Sequence, residues 1–305
     1  MSCDILIQGG TVYDGSGSPG VLADVAIHQG RLMAIGNHLG VTAQRVIDAR
    51  GLVVAPGFID IKTHSDFTLP INPKAESKLR QGVTTEIIGH CGFSVAPCLP
   101  GKVKLLADYL NPSAPWLPFR EMGFGEYLDS FPATSVNAGM LVGHNTLRLM
   151  AMGMAQNAPT EAEMAHMLAL LKEGLQAGAL GLSSGLFTTP GAYAQADEML
   201  RLAQLVEQHQ GAYFTHLRDE SNGVMAALQE AIDIARACRI HVQVVHFKCS
   251  GVDNWGQTAQ ALAQMQAARD AGMDIDCDAY PYTAGSNPLK NILPHNALLA
   301  SAPMP

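Results

Sequence analysis

Several side chains that can bind a metal stand directly behind short apolar runs of this sequence. They are five histidines and one adjacent cysteine: His64, His90, His144, His216, His246 and Cys91. A single histidine in such a place usually hydrogen-bonds a carbonyl group, but five in one pattern favour a shared site. Imidazole and thiolate are the ligands that zinc prefers, and a catalytic zinc keeps one position open for water. The pattern therefore predicts a zinc site.

The apolar runs that carry these residues alternate with amphipathic segments from residue 53 onward. The seven runs are Val53–Ile59, Val83–Ile88, Val136–Val142, Leu180–Ser184, Ala212–Thr215, Val242–Val245 and Asp274–Ala279. The clearest amphipathic segment opens with the capping box Thr160-x-x-Glu163 and ends before Gly178. Repeated strand–helix units of this kind predict an α/β fold with a parallel sheet, either open or closed into a barrel.

The number of these units and the character of the first fifty residues predict the domain organisation. A (β/α)8 TIM-type barrel needs eight strands, and no clear eighth unit follows Tyr282, so about seven of the eight are present. Residues 1–52 read instead as short strands joined by glycine turns, which predicts a small β-sandwich or part of one. We expect a partial β-sandwich domain at 1–52 and an incomplete barrel, the catalytic domain, at 53–305.

Composition narrows the class of protein. Among 305 residues, 48% are hydrophobic and 15% are charged, which is typical of a compact enzyme. The net charge of −8 argues against nucleic acid as a partner, because phosphate binding needs a basic surface. No apolar run has the roughly 18 residues of a membrane helix, and Asp4 stands where a signal peptide carries positive charge. We expect a cytoplasmic protein that acts on a small molecule and contacts no membrane.

Longer motifs around these positions resemble the amidohydrolase superfamily, and the N-acyl-D-amino-acid deacylases (D-aminoacylases) in particular. Val54–Asp60 is similar to the first barrel strand of the superfamily. The segments similar to the deacylases are Arg80–Thr85, Gly89–Gly92, Gly178–Leu186, Thr215–Glu220 and Tyr280–Ser286. The resemblance implies a metal-dependent (β/α)8 barrel. It also implies zinc-dependent hydrolysis of the amide bond of N-acyl-D-amino acids to a carboxylate and a free D-amino acid.

The resemblance also implies roles for individual residues. The positions that match metal-binding residues of the family are Cys91, His216, His246 and His64. The positions that match residues holding the substrate's carboxylate are Lys248, Tyr280 and Ser286. The neighbouring charges of Arg218, Asp219 and Glu220 have two interpretations, an ion network around the ligands or a solvated surface.

Two departures from the family's pattern bear on activity. The first-strand H-x-H pair reads Lys62-Thr63-His64, and a protonated lysine cannot bind zinc and repels a nearby cation. The family's catalytic aspartate lies on the eighth strand, and no aspartate follows Asp278 here. We therefore assign no catalytic residue within this chain. The alternative to an enzyme is a truncated, non-catalytic metal-binding relic or an inactive fragment.

Within enzymes, the alternative is a cyclic amidase similar to the hydantoinases and dihydroorotases. Such enzymes resemble one another in using a carboxylated lysine on the fourth strand. The matching segment here, Leu182–Gly185, contains no lysine, and Cys91 follows the second strand. Both features favour the deacylase interpretation.

Overall fold

The structure is a computed structural model that describes residues 2–288. The chain divides into two compact units, the first ending at Phe58 and the second beginning at Ile59. Each unit is built around its own sheet.

The first unit is a mixed sheet of five strands. They are β1 (Ser2–Val12), β2 (Val21–His28), β3 (Arg31–Gly36), β4 (Thr42–Asp48) and β5 (Val53–Val54). The long strand β1 is central, because it pairs antiparallel with β2 and parallel with both β4 and β5. Cys3, Leu6 and Ala26 form its small core. The described residues of this unit thus provide one sheet, a single layer of the partial sandwich that the sequence predicts.

The second unit contains a parallel sheet of seven strands, joined in sequence order. They are β6 (Phe58–Asp60), β7 (Val83–Ile88), β8 (Asn137–Gly143), β9 (Gly181–Gly185), β10 (Ala212–His216), β11 (Val242–Val244) and β12 (Ile275–Cys277). The predicted α/β class is confirmed. The predicted run Val53–Ile59 is divided, however, with Val53–Val54 in the first sheet and Phe58 starting the second. Pro56 and Gly57 lie between the two parts, and proline cannot donate a ladder hydrogen bond.

Helices connect the strands of the second unit. They are α1 (Glu76–Leu79), α2 (Val103–Leu110), α3 (Phe124–Asp129), α4 (His144–Met152), α5 (Glu161–Ala177), α6 (Ala196–Gln208), α7 (Val224–Ala237) and α8 (Thr258–Asp270). The predicted capping box is confirmed, because the Thr160 hydroxyl accepts from the Glu163 amide and the Glu163 carboxylate accepts from the Thr160 amide. Gly178, with φ of 112°, ends α5.

The apolar faces of these helices pack against the sheet. Met164, Met167 and Leu171 of α5 are buried in the large core of this unit, as their helical spacing predicts. Within residues 2–288, no helix combines the length and the hydrophobicity needed to cross a membrane. The order of elements places the carboxyl ends of all seven parallel strands at the same edge of the sheet.

Candidate metal centre

Three side chains that can bind a metal converge at this edge. Cys91, His216 and His246 are all buried, and each offers a ligand atom within 4.8 Å of the others. Cys91 Sγ lies 3.5 Å from His246 Nε2, and the two imidazole rings meet edge to face with centroids 4.3 Å apart. Cys91 follows β7 and His246 follows β11, and four strand spacings of a flat sheet would separate these strands by roughly 19 Å. The sheet therefore curls to bring the three side chains together.

Two of these residues have a backbone conformation that L-amino acids rarely adopt. The φ angle is 56° at Cys91 and 40° at His246, and each such residue costs of order 1–3 kcal/mol. Asp278 supports His246, because its Oδ1 accepts a 2.6 Å hydrogen bond from the His246 amide. Its Oδ2 accepts from Gln243 Nε2 at 2.9 Å. Strain of this kind concentrates at functional sites, and here it aims two candidate ligands.

The loop after Cys91 is equally constrained. Gly92 has a φ of 76°, and a Cβ atom placed there would lie 2.1 Å from Asn145 Oδ1. Asn145 is fully buried, and its amide nitrogen donates to the Thr188 hydroxyl at 3.1 Å. Only glycine fits beside Cys91, because both the conformation and the space exclude a side chain.

The electrostatics of the cluster suit a metal cation. Burial opposes ionisation of Cys91, but the Lys62 ammonium and contacts with His216, His246 and His64 lower the pKa of the thiol well below its usual range. The thiolate is the form that binds metals. His216 Nε2 is buried and has no hydrogen-bond partner among the described residues. A thiolate and two imidazoles, one with an unsatisfied nitrogen, form a donor set that zinc prefers.

Glu220 lies against both histidines of the cluster. Its Oε1 is 3.0 Å from His246 Nδ1, 3.7 Å from His216 Nε2 and 2.6 Å from Lys248 Nζ. Burial opposes ionisation of this carboxyl, but the hydrogen bond with His246 and the charges of His216, His246 and Lys248 lower its pKa to about 2. Burial likewise opposes protonation of His246, but contacts with Cys91 and Glu220 raise its pKa. The carboxylate therefore remains ionised and holds the surrounding donors.

His64, the fourth predicted ligand, lines the same cavity as the cluster but lies outside the group of three converging ligand atoms. Its ring stacks on Phe67 at a centroid distance of 5.8 Å and packs against Phe93 at 5.9 Å. Burial and the charge of Lys62 lower the pKa of His64, and its buried Nδ1 has no hydrogen-bond partner among residues 2–288. Lys62 also lines this cavity.

The other two histidines of the sequence pattern do not join the cluster. His90 is buried edge-on against Phe214 at a centroid distance of 5.3 Å, and burial lowers its pKa to about 3. His144 begins α4, and its Nε2 lies 2.7 Å from Glu198 Oε1. The same carboxylate binds the buried guanidinium of Arg148 at 2.5 Å. A position behind a barrel strand is therefore not sufficient to place a histidine in the cluster.

The three predicted carboxylate-binding residues line one cavity with the cluster. This cavity has a volume of about 1010 Å³, and its walls include Lys248, Tyr280 and Ser286. Lys248 Nζ lies 5.5 Å from the centroid of the Tyr280 ring, which is within the range of a cation–π contact. The structure thus brings a cation, a phenol and a hydroxyl to the wall of the cavity that contains Cys91, His216 and His246.

Two of the charged residues after β10 fix the loop itself. Arg218 donates to the Glu230 carboxylate at 3.0 Å, and the Asp219 carboxylate accepts from the amides of Ser221 and Gly223. The interpretation as an ion network therefore applies to Glu220, which faces the candidate ligands.

Two carboxylates have surroundings that the sequence did not predict, the partly buried Asp278 and the fully buried Asp66. Asp278 braces His246, and its place at the end of the seventh predicted run was the available signal. Asp66 is buried with neither carboxylate oxygen paired among the described residues, and burial raises its pKa to about 7. Nothing in the local sequence distinguishes Asp66 from a surface acid.

The fold and this site define a class of protein. The chain belongs to the amidohydrolase family, whose model matches residues 45–275. It is 40% identical over 289 residues to a D-aminoacylase of Alcaligenes xylosoxydans xylosoxydans, an alignment that covers 94% of this chain and 59% of the relative. The chain thus spans about three fifths of the length of that relative.

Solved structures agree with this similarity. An N-acyl-D-glutamate deacylase from Bordetella bronchiseptica, complexed with zinc and a phosphonate mimic of the tetrahedral intermediate, is 38% identical with a TM-score of 0.84. The match covers 92% of this chain and 59% of that one. A D-aminoacylase with a binuclear metal centre, described by one-metal activation and second-metal attenuation, has the same identity and TM-score over 93% and 59% of the two chains.

Proposed function

We propose that this chain is part of a zinc-dependent deacylase that hydrolyses the amide bond of N-acyl-D-amino acids to a carboxylate and a free D-amino acid. The observation that carries the proposal is the convergence of Cys91, His216 and His246, three buried zinc-type donors within 4.8 Å of one another. Its similarity to D-aminoacylases over 94% of the chain supports the substrate class. The domain assignment, 1–52 and 53–305, and the cytoplasmic location stay predictions.

The metal proposed is zinc, held by Cys91, His216 and His246, with His64 in the adjacent wall. When bound, zinc supplies a water of pKa about 7 and polarises the acyl carbonyl. The protein's own contribution is to present a thiolate and two oriented imidazoles. All three side chains are largely buried and line the wall of the cavity that would receive the substrate.

We assign recognition of the substrate's carboxylate to Lys248, Tyr280 and Ser286. An ammonium and two hydroxyls are suitable donors for a carboxylate. Lys248 is held in place by Glu220 at 2.6 Å and by the His246 carbonyl at 2.8 Å. A fixed cation at one side of the metal site orients the amide of the substrate and thereby favours one enantiomer.

A non-catalytic metal-binding role is the second candidate, and one observation favours it. Among residues 2–288, Glu220 and Asp278 are the carboxylates that bond to the cluster residues, and each is already engaged by donors of the protein. Donors of this kind weaken a carboxylate as a base, and they hold the pKa of Glu220 at about 2. The cyclic-amidase alternative has no such support, because β9 contains no lysine and its Ser183 and Ser184 hydroxyls bond Gly89 and Tyr213.

The test combines metal analysis with a stereospecific assay. The purified protein is loaded with zinc, and release of free amino acid is followed from N-acetyl-D-methionine and N-acetyl-L-methionine. Turnover of the D-enantiomer alone, abolished by a chelator and restored by zinc, supports the deacylase. Zinc binding without turnover of either compound supports the non-catalytic role, and absence of zinc binding contradicts both proposals.

A further inference from the structure

A single carboxylate oxygen organises the side of the cluster that faces away from Cys91. Glu220 Oε1 receives a 2.6 Å contact from Lys248 Nζ and a 3.0 Å contact from His246 Nδ1. Lys248 Nζ also lies 3.1 Å from His246 Nδ1 itself. The opposite ring nitrogen, His246 Nε2, is the one that lies 3.5 Å from Cys91 Sγ. Three donor or acceptor groups therefore meet at one point behind a candidate ligand.

The contact between Lys248 and His246 creates a conflict that another group must resolve. An ammonium has three donors and no acceptor, whereas a neutral imidazole has one donor nitrogen and one acceptor nitrogen. If Lys248 donated to Nδ1, the ring proton would lie on Nε2, and the lone pair facing Cys91 would be lost. If Nδ1 carries the proton, two donors face each other and need a shared acceptor.

We propose that Glu220 is a positioning residue that sets the tautomer of His246. Its Oε1 accepts from Nδ1–H and from Lys248 together, so the ammonium is directed away from the lone pair of Nδ1 and Nε2 is left as the metal-binding nitrogen. The inference rests on the proposed zinc site. It extends to this chain the general rule that a partner of the second ring nitrogen orients a metal-binding histidine.

The loop that carries Glu220 is built to keep this carboxylate in place. The Glu220 side chain is only 15% exposed. The Asp219 carboxylate accepts from the amides of Ser221 and Gly223, and the Glu220 carbonyl accepts from the Ser250 amide at 2.6 Å. Lys248 is likewise held, because its Nζ donates to the His246 carbonyl at 2.8 Å. Neither partner can move away from His246 without breaking other bonds.

Zinc affinity, measured by competition with a chelator, tests the proposal without any assay of activity. Glu220→Ala should weaken zinc binding by roughly 10–100-fold, the effect of losing an outer partner of a metal ligand. Lys248→Met alone should not weaken zinc binding, because Glu220 still accepts from His246 Nδ1–H and a cation near the site has been removed. The double variant should bind zinc more tightly than Glu220→Ala, because no ammonium remains to compete for Nδ1. Glu230→Ala is the matched control. Glu230 lies on α7 and pairs with Arg218, which is on the same loop as Glu220, so its removal should not alter zinc affinity.

A second readout reports the tautomer directly. Nitrogen-15 NMR of histidine-labelled, zinc-free protein, at alkaline pH where the ring is neutral, should show His246 protonated at Nδ1 and moved toward Nε2 protonation in Glu220→Ala. If that variant does not fold, Glu220→Gln should give a smaller loss of affinity, because the amide oxygen accepts from only one donor well. Wild-type protein that binds no zinc contradicts the proposed function. Wild-type binding with unchanged affinity and tautomer in the Glu220 variants overturns this inference alone.

Discussion

Two buried clusters in the second unit grow from the same sequence signal, a histidine directly behind a barrel strand. The metal cluster consists of Cys91, His216 and His246. The ion-pair cluster consists of His144, Arg148 and Glu198, all with at most 1% exposure. In the ion-pair cluster the Glu198 carboxylate lies 2.7 Å from His144 Nε2 and 2.5 Å from the Arg148 guanidinium. In the metal cluster three potential ligand atoms converge on one another, and the carboxylate beside them, Glu220, bonds to the far side of the His246 ring at Nδ1.

The difference teaches how a buried polar group reveals its role. A buried charge that is paired with an opposite charge is part of the folded structure. Removing one partner leaves the other charge buried and unpaired, which lowers the free energy of unfolding. A buried donor set that lacks a central partner, such as Cys91 with His216 Nε2, needs a further group to satisfy it. The paired charges of the ion-pair cluster stabilise the fold, and the unpaired donors of the metal cluster are suited to bind a metal. Each prediction below separates stability from binding at one of the two clusters.

The largest effect is expected for Cys91→Ala. This change removes one of three ligands, so zinc content should fall from about one ion per chain to a trace. Elemental analysis of the purified protein measures it. Cys98→Ala is the matched control, because Cys98 is an equally buried cysteine away from the cluster and should retain zinc. Unchanged zinc content in Cys91→Ala would exclude this residue as a ligand.

At the ion-pair cluster, Glu198→Gln should lower the free energy of unfolding by about 3–5 kcal/mol, because it leaves Arg148 buried without its counter-charge. Chemical denaturation measures the change. Zinc content of the folded variant should equal that of the wild type, since Glu198 does not contact the metal cluster. A loss of zinc without a loss of stability would contradict the assignment of Glu198 to a structural role.

The number of metal ions that the site can hold can be tested at Lys62, which lines the same cavity as His64 and Cys91. Lys62→His should allow a second metal to bind under excess zinc, because it replaces a repelling cation by an imidazole. Metal titration followed by elemental analysis measures the stoichiometry. Lys62→Met removes the charge without adding a ligand, so it shows whether repulsion alone excludes the second ion. Occupancy that stays flat in Lys62→His would mean that residue 62 does not face the site.

The smallest effect concerns the pH dependence of stability at the ion-pair cluster. Burial opposes ionisation of Glu198, but His144 and Arg148 together hold the pKa of this carboxyl below its ordinary value of 4.5. Its contribution to stability is therefore complete above that pH and is lost as the pH falls through the lower folded pKa. Denaturation at a series of acidic pH values should show a steeper loss in the wild type than in Glu198→Gln. Parallel curves for the two proteins would contradict the assignment.

Much of the architecture could be predicted from the sequence because it depends on local patterns. The seven barrel strands follow from apolar runs bounded by turn residues, and α5 follows from a capping box at Thr160 and a glycine at 178. The types of the metal-cluster residues were also visible, because Cys91, His216 and His246 stand where parallel strands end. These features need only neighbours in the chain.

A position behind a strand did not show which histidines meet; the resemblance to the deacylases singled out His216 and His246, and the tertiary structure shows why His144 is not among them. His144 and His216 carry the same local signal, but Glu198, on α6, captures His144, whereas the curl of the sheet brings His216 to Cys91. The bonds from Glu220 and Asp278 to His246 likewise join residues far apart in the chain. Hydrophobic periodicity predicts helices and strands because it depends only on residues that are close together in the sequence. The partner of a buried polar group depends on how those elements pack, and packing brings together atoms whose spacing in the sequence carries no signal.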